Sequence, residues 1–116
     1  MSTQKTHRSE IALHIDLDEN KLPEKILWDA PDGGVSNEPA SAFMLSVWDE
    51  RTQDTLRIDL WTKEMRVDDM KKFYHQTLLS MADSLDRATN EKEMALDMKD
   101  FARYFAEKLE LIDKKK

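Results

Sequence analysis

The side chains best equipped for chemistry are sparse, and their spacing fits no catalytic arrangement. His7, His14 and His75 are the only histidines, and none stands in an HExxH, Ser/His/Asp or paired metal spacing. His75 sits beside Tyr74, offset from an apolar stripe, which suits a surface or helix-packing histidine better than a general base. His14 projects from the polar face of a strand. Cysteine is absent, which removes thiol nucleophiles, disulfides and thiolate metal sites together. Asp16-x-Asp18-x-Asn20 opens like a calcium loop. Lys21, however, stands where such loops turn on glycine, and Leu27 stands where they place a bidentate glutamate. A solvated turn is the plainer reading. Asp32-Gly33-Gly34 is a turn signal with no phosphate-binding pattern after it. With 24 Asp and Glu in the chain, acid pairs arise by number alone, and a glycosidase-type pair needs a defined separation across a cleft. No catalytic, cofactor-binding or metal-binding residue is assigned, and the chain is not expected to be an enzyme.

What remains is chemistry of recognition, and it concentrates in Thr55–Thr62, TLRIDLWT. Leu56, Ile58 and Leu60 alternate with Arg57, Asp59 and Trp61, the period of a strand with two different faces. Upstream, Ala42–Trp48 alternates Phe43, Leu45 and Val47 with Met44, Ser46 and Trp48. Read as the two arms of a hairpin, these stretches put Met44, Trp48, Arg57, Asp59 and Trp61 on one face. Two indoles and a thioether are much apolar surface to leave wet, and exposed aromatic patches mark interaction sites. Arg57 can stack on Trp48 or pair with Asp59. The competing expectation is that residues 31–40 fold over this face and bury it.

Length and composition set the frame for these residues. The 116-residue chain is 40% hydrophobic and 36% charged, with two glycines and three prolines, which fits one globular domain with a real core. A net charge of −6 argues against unspecific nucleic-acid binding, which needs a basic surface. No stretch approaches the roughly 18 apolar residues of a membrane span, and MSTQKTHRSE lacks the apolar run of a signal peptide. A cytoplasmic location is expected. Residues 1–8 read as a flexible lead, 9–112 as a single α+β domain and 113–116 as a basic tail, solvated like most such tails.

The elements follow from periodicity. Ser9–Leu17 alternates Ile11, Leu13, Ile15 and Leu17 with polar partners; Lys25–Ala30 sets Ile26 and Trp28 on one side; a hairpin, 9–30, joins them. Pro31–Pro39 reads as the longest irregular stretch. Residues 38–48 are open to strand or to a helix capped by Ser36 or Asn37, with strand favoured because SVWD runs into a polar turn before TLRIDLWT. In the hairpin 42–62, side-chain chemistry suggests Val47 opposite Ile58, Leu45 opposite Leu60, Trp48 by Arg57, Ser46 by Asp59 and Met44 by Trp61, with Glu50–Thr55 as loop. From Val67 the spacing turns helical. Val67, Met70, Phe73, Tyr74, Leu78, Met81, Leu85 and Ala88 form a stripe over 67–88. Asn90 is read as the cap of a second helix, 91–112, with Glu93 completing a capping box. Its stripe is Met94, Met98, Phe101, Phe105, Leu109 and Ile112. The methionines on these stripes (Met70, Met81, Met94, Met98) are expected to fill a core, with an adaptable groove as the alternative. The whole predicts an antiparallel sheet of about four strands packed on a C-terminal antiparallel helical hairpin, with Leu56, Ile58 and Leu60 closing the core.

TLRIDLWTKEM, DDMKKFYHQTLLSMAD and RATNEKEMALDMKDFARYFAEKLEL resemble the gliding-motility-associated protein GldC family. LDENKLPEKILWDAPDGG and FMLSVWD also look like that family, so the resemblance spans roughly residues 9–112. It rests on the order of ordinary strand and helix residues and on the string RIDLWTK; Arg66 stands where the family often has proline. The resemblance implies a small soluble accessory factor of gliding motility and associated protein secretion, without catalytic activity or cofactor. Its implied partners are proteins of that machinery or a second copy in a homo-oligomer. The order of strands followed by a helical pair is also similar to SecB-type export chaperones, which makes a holder of unfolded clients the alternative and a small hydrolase a more distant one.

Overall fold

A computed structural model describes residues 6–112, which divide into two compact units in sequence between Met65 and Arg66. The first holds five strands, the second two helices, so the class is α+β.

In the strand unit, β1 (Ala12–Leu17), β2 (Pro23–Ala30) and β3 (Val35–Ala40) form an antiparallel sheet in that order. The hairpin between the first two strands is as expected. The pairings Leu13 with Trp28 and Ile15 with Ile26 put the alternating apolar residues on one face. Ile26 is fully buried there, at 1% exposure, so it anchors the sheet; burying such a side chain is worth about 1.5–3 kcal/mol. The expectation for 31–39 needs correction: a single 3-10 turn at Pro31–Gly33 is followed by a third strand. VSNEPA carries no aliphatic alternation, and what holds it is main-chain pairing to β2 and the Asp29 carboxylate, which accepts the Asn37 N–H at 2.7 Å. Pro39, lacking an N–H, is tolerated because β3 pairs on one side only.

A second antiparallel sheet consists of β4 (Ala42–Asp49) and β5 (Asp54–Trp61). Residues 42–49 are therefore strand, and the described residues form five strands in two sheets where about four in one sheet were expected. The observed partners are Phe43 with Leu60, Leu45 with Ile58, Val47 with Leu56, Ser46 with Arg57, Met44 with Asp59, Ala42 with Trp61 and Trp48 with Thr55. This is two residues away from the register inferred from side-chain chemistry. An even slip keeps each residue on its face, so polarity could not separate the two registers. The turn decides between them. Asp49 accepts the N–H groups of Arg51 and Thr52 on one carboxylate oxygen and that of Gln53 on its carbonyl, with Gln53 in the left-handed region, which limits the loop to Glu50–Gln53. Leu56 and Ile58, paired with Val47 and Leu45, are 57% and 52% exposed.

In the second unit, α1 (Val67–Thr89) and α2 (Lys92–Lys108) form the expected helical hairpin, α2 ending four residues early. Asp68 and Asp69 sit in the first turn of α1, opposite the positive end of its dipole. Asn90 is not the cap of α2. It ends α1 in the left-handed conformation and donates its N–H to Asp86 O at 2.8 Å, while Glu91 precedes α2 without a side-chain cap. An asparagine in a short link can serve either helix; its tolerance of positive φ decided which. The helical seam also differs from the predicted stripes. Among the described residues its buried positions are Ala82, Ala95, Ala102 and Ala106; Met70, Phe73, Leu78, Leu85, Met98, Phe105 and Leu109 of the stripes are half-buried, whereas Val67, Tyr74, Met81, Met94, Phe101 and Ile112 are exposed. Small side chains let two helix backbones approach closely. Lys99–Asp83 at 3.0 Å and Lys92–Asp86 at 3.3 Å tie the helices together. At its C-terminus α2 closes with Leu111 N–H on Ala106 O and Glu110 N–H on Glu107 O, the two bonds of a Schellman motif, with Glu110 at positive φ.

Ala102→Leu, which adds volume to a filled seam, should destabilise the helical hairpin by roughly 1–3 kcal/mol, read as an earlier loss of helical circular dichroism in urea. Ile26→Ala should lower the exchange protection of the β2 amides by about 2–5 kcal/mol, measured by native-state hydrogen exchange.

Candidate functional site

The candidate face forms as a consequence of β4 and β5 pairing without a bulge. Ala42, Met44, Ser46 and Trp48 share one side with Trp61, Asp59, Arg57 and Thr55, so the five residues singled out from the sequence do lie together. Their neighbours differ from those expected. Trp48 faces Thr55 at one end and Trp61 faces Ala42 at the other, which separates the indoles by six strand positions, about 20 Å. Between them the Arg57 guanidinium donates to Ser46 Oγ at 2.9 Å and to both Asp59 carboxylate oxygens at 2.9 and 3.2 Å. Its cation is thus spent on its own strand and the facing serine, and it does not stack on Trp48. Trp48 and Trp61 are 60% and 52% exposed, and Met44 is half-buried. Residues 31–40 do not cover this face as the competing expectation had it, because 35–40 pair with β2.

Chemically, the face is two aromatic platforms flanking an internally neutralised ionic pair. It offers apolar area and hydrogen-bonding groups, with no convergent acid–base pair. Among the described residues no three His, Cys, Asp or Glu side chains group as metal ligands.

One end of the face is built by Asp18, read from the sequence only as part of a solvated turn, together with Leu22, Pro23 and Lys63, to which the sequence assigned no role. Asp18 shapes the turn between β1 and β2: one carboxylate oxygen accepts the N–H groups of Asn20 and Leu22 at 2.8 and 3.0 Å, while its own N–H donates to Leu22 O. Its other oxygen takes Lys63 Nζ at 3.0 Å, and Glu24 lies 3.5 Å from the same ammonium. The Lys63 N–H donates to Pro23 O at 3.0 Å. Residues just past β5 are thereby joined to the β1–β2 turn. The Leu22 N–H and then the Lys63 ammonium hold the Asp18 carboxyl below its ordinary range, and Asp18 in turn raises Lys63. Between these segments lies an apolar pocket of about 340 Å³ lined by Leu22, Pro23, Asp59, Leu60, Trp61 and Lys63. An aspartate opening a tight turn is the one sequence signal that pointed here; the lysine 45 positions away gave none. At the other end of the strand unit, the Ser9 hydroxyl and His7 hold Asp32 low, with His7 Nε2 at 2.9 Å from its carboxylate.

A lowered Asp18 contributes stability that is complete above the ordinary aspartate range and lost as pH falls below about 4. A raised Lys63 contributes stability that is complete below the ordinary lysine value and lost as pH rises above about 10.4. Asp18→Asn should therefore lower the urea midpoint at neutral pH and flatten the acid limb of the stability profile.

Comparison with known proteins adds a family. The model of the gliding motility-associated protein GldC-like family matches residues 23–111, and the chain belongs to that family. The match includes β2 to β5 and both helices. No curated protein and no solved structure matches the chain. No helix among the described residues is long and apolar enough to cross a membrane.

Proposed function

Proceeding from membership in the GldC-like family of gliding motility-associated proteins, we propose that this chain is a non-enzymatic accessory protein that docks a protein of the gliding machinery on the β4–β5 face. The observation that carries the reading is the pair of half-exposed indoles at the two ends of one sheet face. Buried tryptophans dominate protein–protein interfaces because they supply large rigid area at little conformational cost. Here an extended segment of about six residues spans the distance between them. Arg57 and Asp59 neutralise each other at the centre, so the partner needs no net charge there and finds hydrogen-bonding groups on both. The same docking would serve the secretion that accompanies motility, in the cytoplasm, if the partner is a component common to both.

Trp48→Ser with Trp61→Ser should keep the circular dichroism and steady-state level of the protein while abolishing surface spreading in a gliding host that carries the variant in place of its own copy. Loss of the folded protein would place the indoles in the core, and undiminished spreading would remove the face from function.

The second face supports another reading. Val47, Leu56 and Ile58 are about half exposed opposite the tryptophan side, and an apolar surface of this kind can hold unfolded clients. Failure of stoichiometric protein to suppress aggregation of an unfolded client would dispose of this chaperone-like role.

A further inference from the structure

The outer edge of β5 is unpaired, and its sequence is complementary to itself. In an antiparallel pair, backbone groups point alternately toward and away from the partner strand. Thr62 N–H donates to Ser41 O at 2.8 Å across the β4 side, so the residues two, four and six before it turn their backbone groups toward β4. Thr55, Arg57, Asp59 and Trp61 turn theirs to the outer edge. The next outward group in line, Lys63 N–H, is already taken by Pro23 O. The edge from Thr55 to Trp61 has no strand beside it among the described residues. An isolated two-stranded sheet is marginally stable, and a bare edge is a template for another strand.

We propose that the occupant of this edge is β5 of a second copy of the chain, paired antiparallel about a two-fold axis at Ile58. The proposal rests on reading β4–β5 as an interaction surface and names a partner for it. About that centre, Arg57 falls opposite Asp59 of the second copy and Asp59 opposite its Arg57. The two ion pairs already present, at 2.9 Å within each strand, close into a square of alternating charges. Leu56 falls opposite Leu60 of the second copy on the other face, and Thr55 opposite its Trp61. The L-R-I-D-L core reads as its own complement in this one register; a slip of two residues to either side leaves a charge without its opposite. The pocket supplies an independent reason. Leu60, which this register sets opposite Leu56 of the second copy, lines that pocket together with Leu22 and Pro23 and adds apolar surface there. The product is a four-stranded sheet, β4-β5-β5-β4, with four tryptophans on one face. A two-fold axis makes such a contact isologous, so it closes at two copies without propagating into a fibre.

The test uses charge exchange in the full chain, with folding checked by circular dichroism and mass by sedimentation equilibrium. The unaltered chain should be a dimer. Arg57→Asp alone and Asp59→Arg alone should each weaken it roughly tenfold or more, since every such change sets like charges opposite at both symmetry-related positions. Mixing the two variants restores both opposite-charge contacts and should recover a heterodimer. Ile58→Cys, the sole cysteine in its chain, should oxidise to a disulfide-linked pair because Cα atoms at a two-fold, non-hydrogen-bonded position lie about 4.5 Å apart. Leu45→Cys, one strand further out, should not. A monomer at every concentration, or a dimer indifferent to the charge changes, overturns the pairing. Failure of the pairing and failure of the docking face are separable. A monomer whose motility still depends on Trp48 and Trp61 overturns the pairing alone. A charge-controlled dimer whose motility ignores both tryptophans upholds the pairing and removes the face.

Discussion

The strand unit depends on Lys63. Two sheets that share no ladder are joined where its N–H meets Pro23 O and its ammonium meets Asp18. Asp18 in turn organises the β1–β2 turn with the other half of the same carboxylate. The consequence is geometric. The end of β5, and with it Trp61, is held against Leu22 and Pro23, and the pocket beside Leu60 exists because those segments stop short of filling the space between them. Single exposed ion pairs contribute little to stability. This one matters because it fixes a position, and it acts with a main-chain hydrogen bond on the same residue.

Around that junction the unit is thinly packed. Among the described residues Ile26 is its one fully buried large side chain; main-chain pairing and aspartate side chains on backbone N–H groups supply further order. Asp18 and Asp49 each accept backbone N–H groups at a change of chain direction, and Asp29, inside β2, accepts one from Asn37 of β3. Within the strand unit Trp48, Leu56, Ile58 and Trp61 are each more than half exposed. Such surface is a liability for a chain that acts alone and an asset for one that works by association.

The helical unit illustrates how composition and geometry divide the work. The large apolar residues fall at helical spacing and about half of each stripe is half-buried, but the positions buried outright are alanines. The stripes were legible and the seam was not. A helical wheel weights bulk, whereas close packing between two helices selects for its absence.

From the sequence alone came the class, the strand and helix periods, the facial grouping of Met44, Trp48, Arg57, Asp59 and Trp61, and, through resemblance, the family. These depend on local alternation and spacing, which the chain carries wherever it goes. Tertiary structure decided the β4–β5 register, because two registers an even step apart keep the same faces and only the Asp49 turn distinguishes them. It decided that Val35–Ala40 is a strand, since a polar stretch becomes one only by finding β2. It also decided that Asn90 closes the first helix and that Lys63 reaches Asp18. Each of these is a choice among partners, and partners distant in sequence are set by where the chain has already been led.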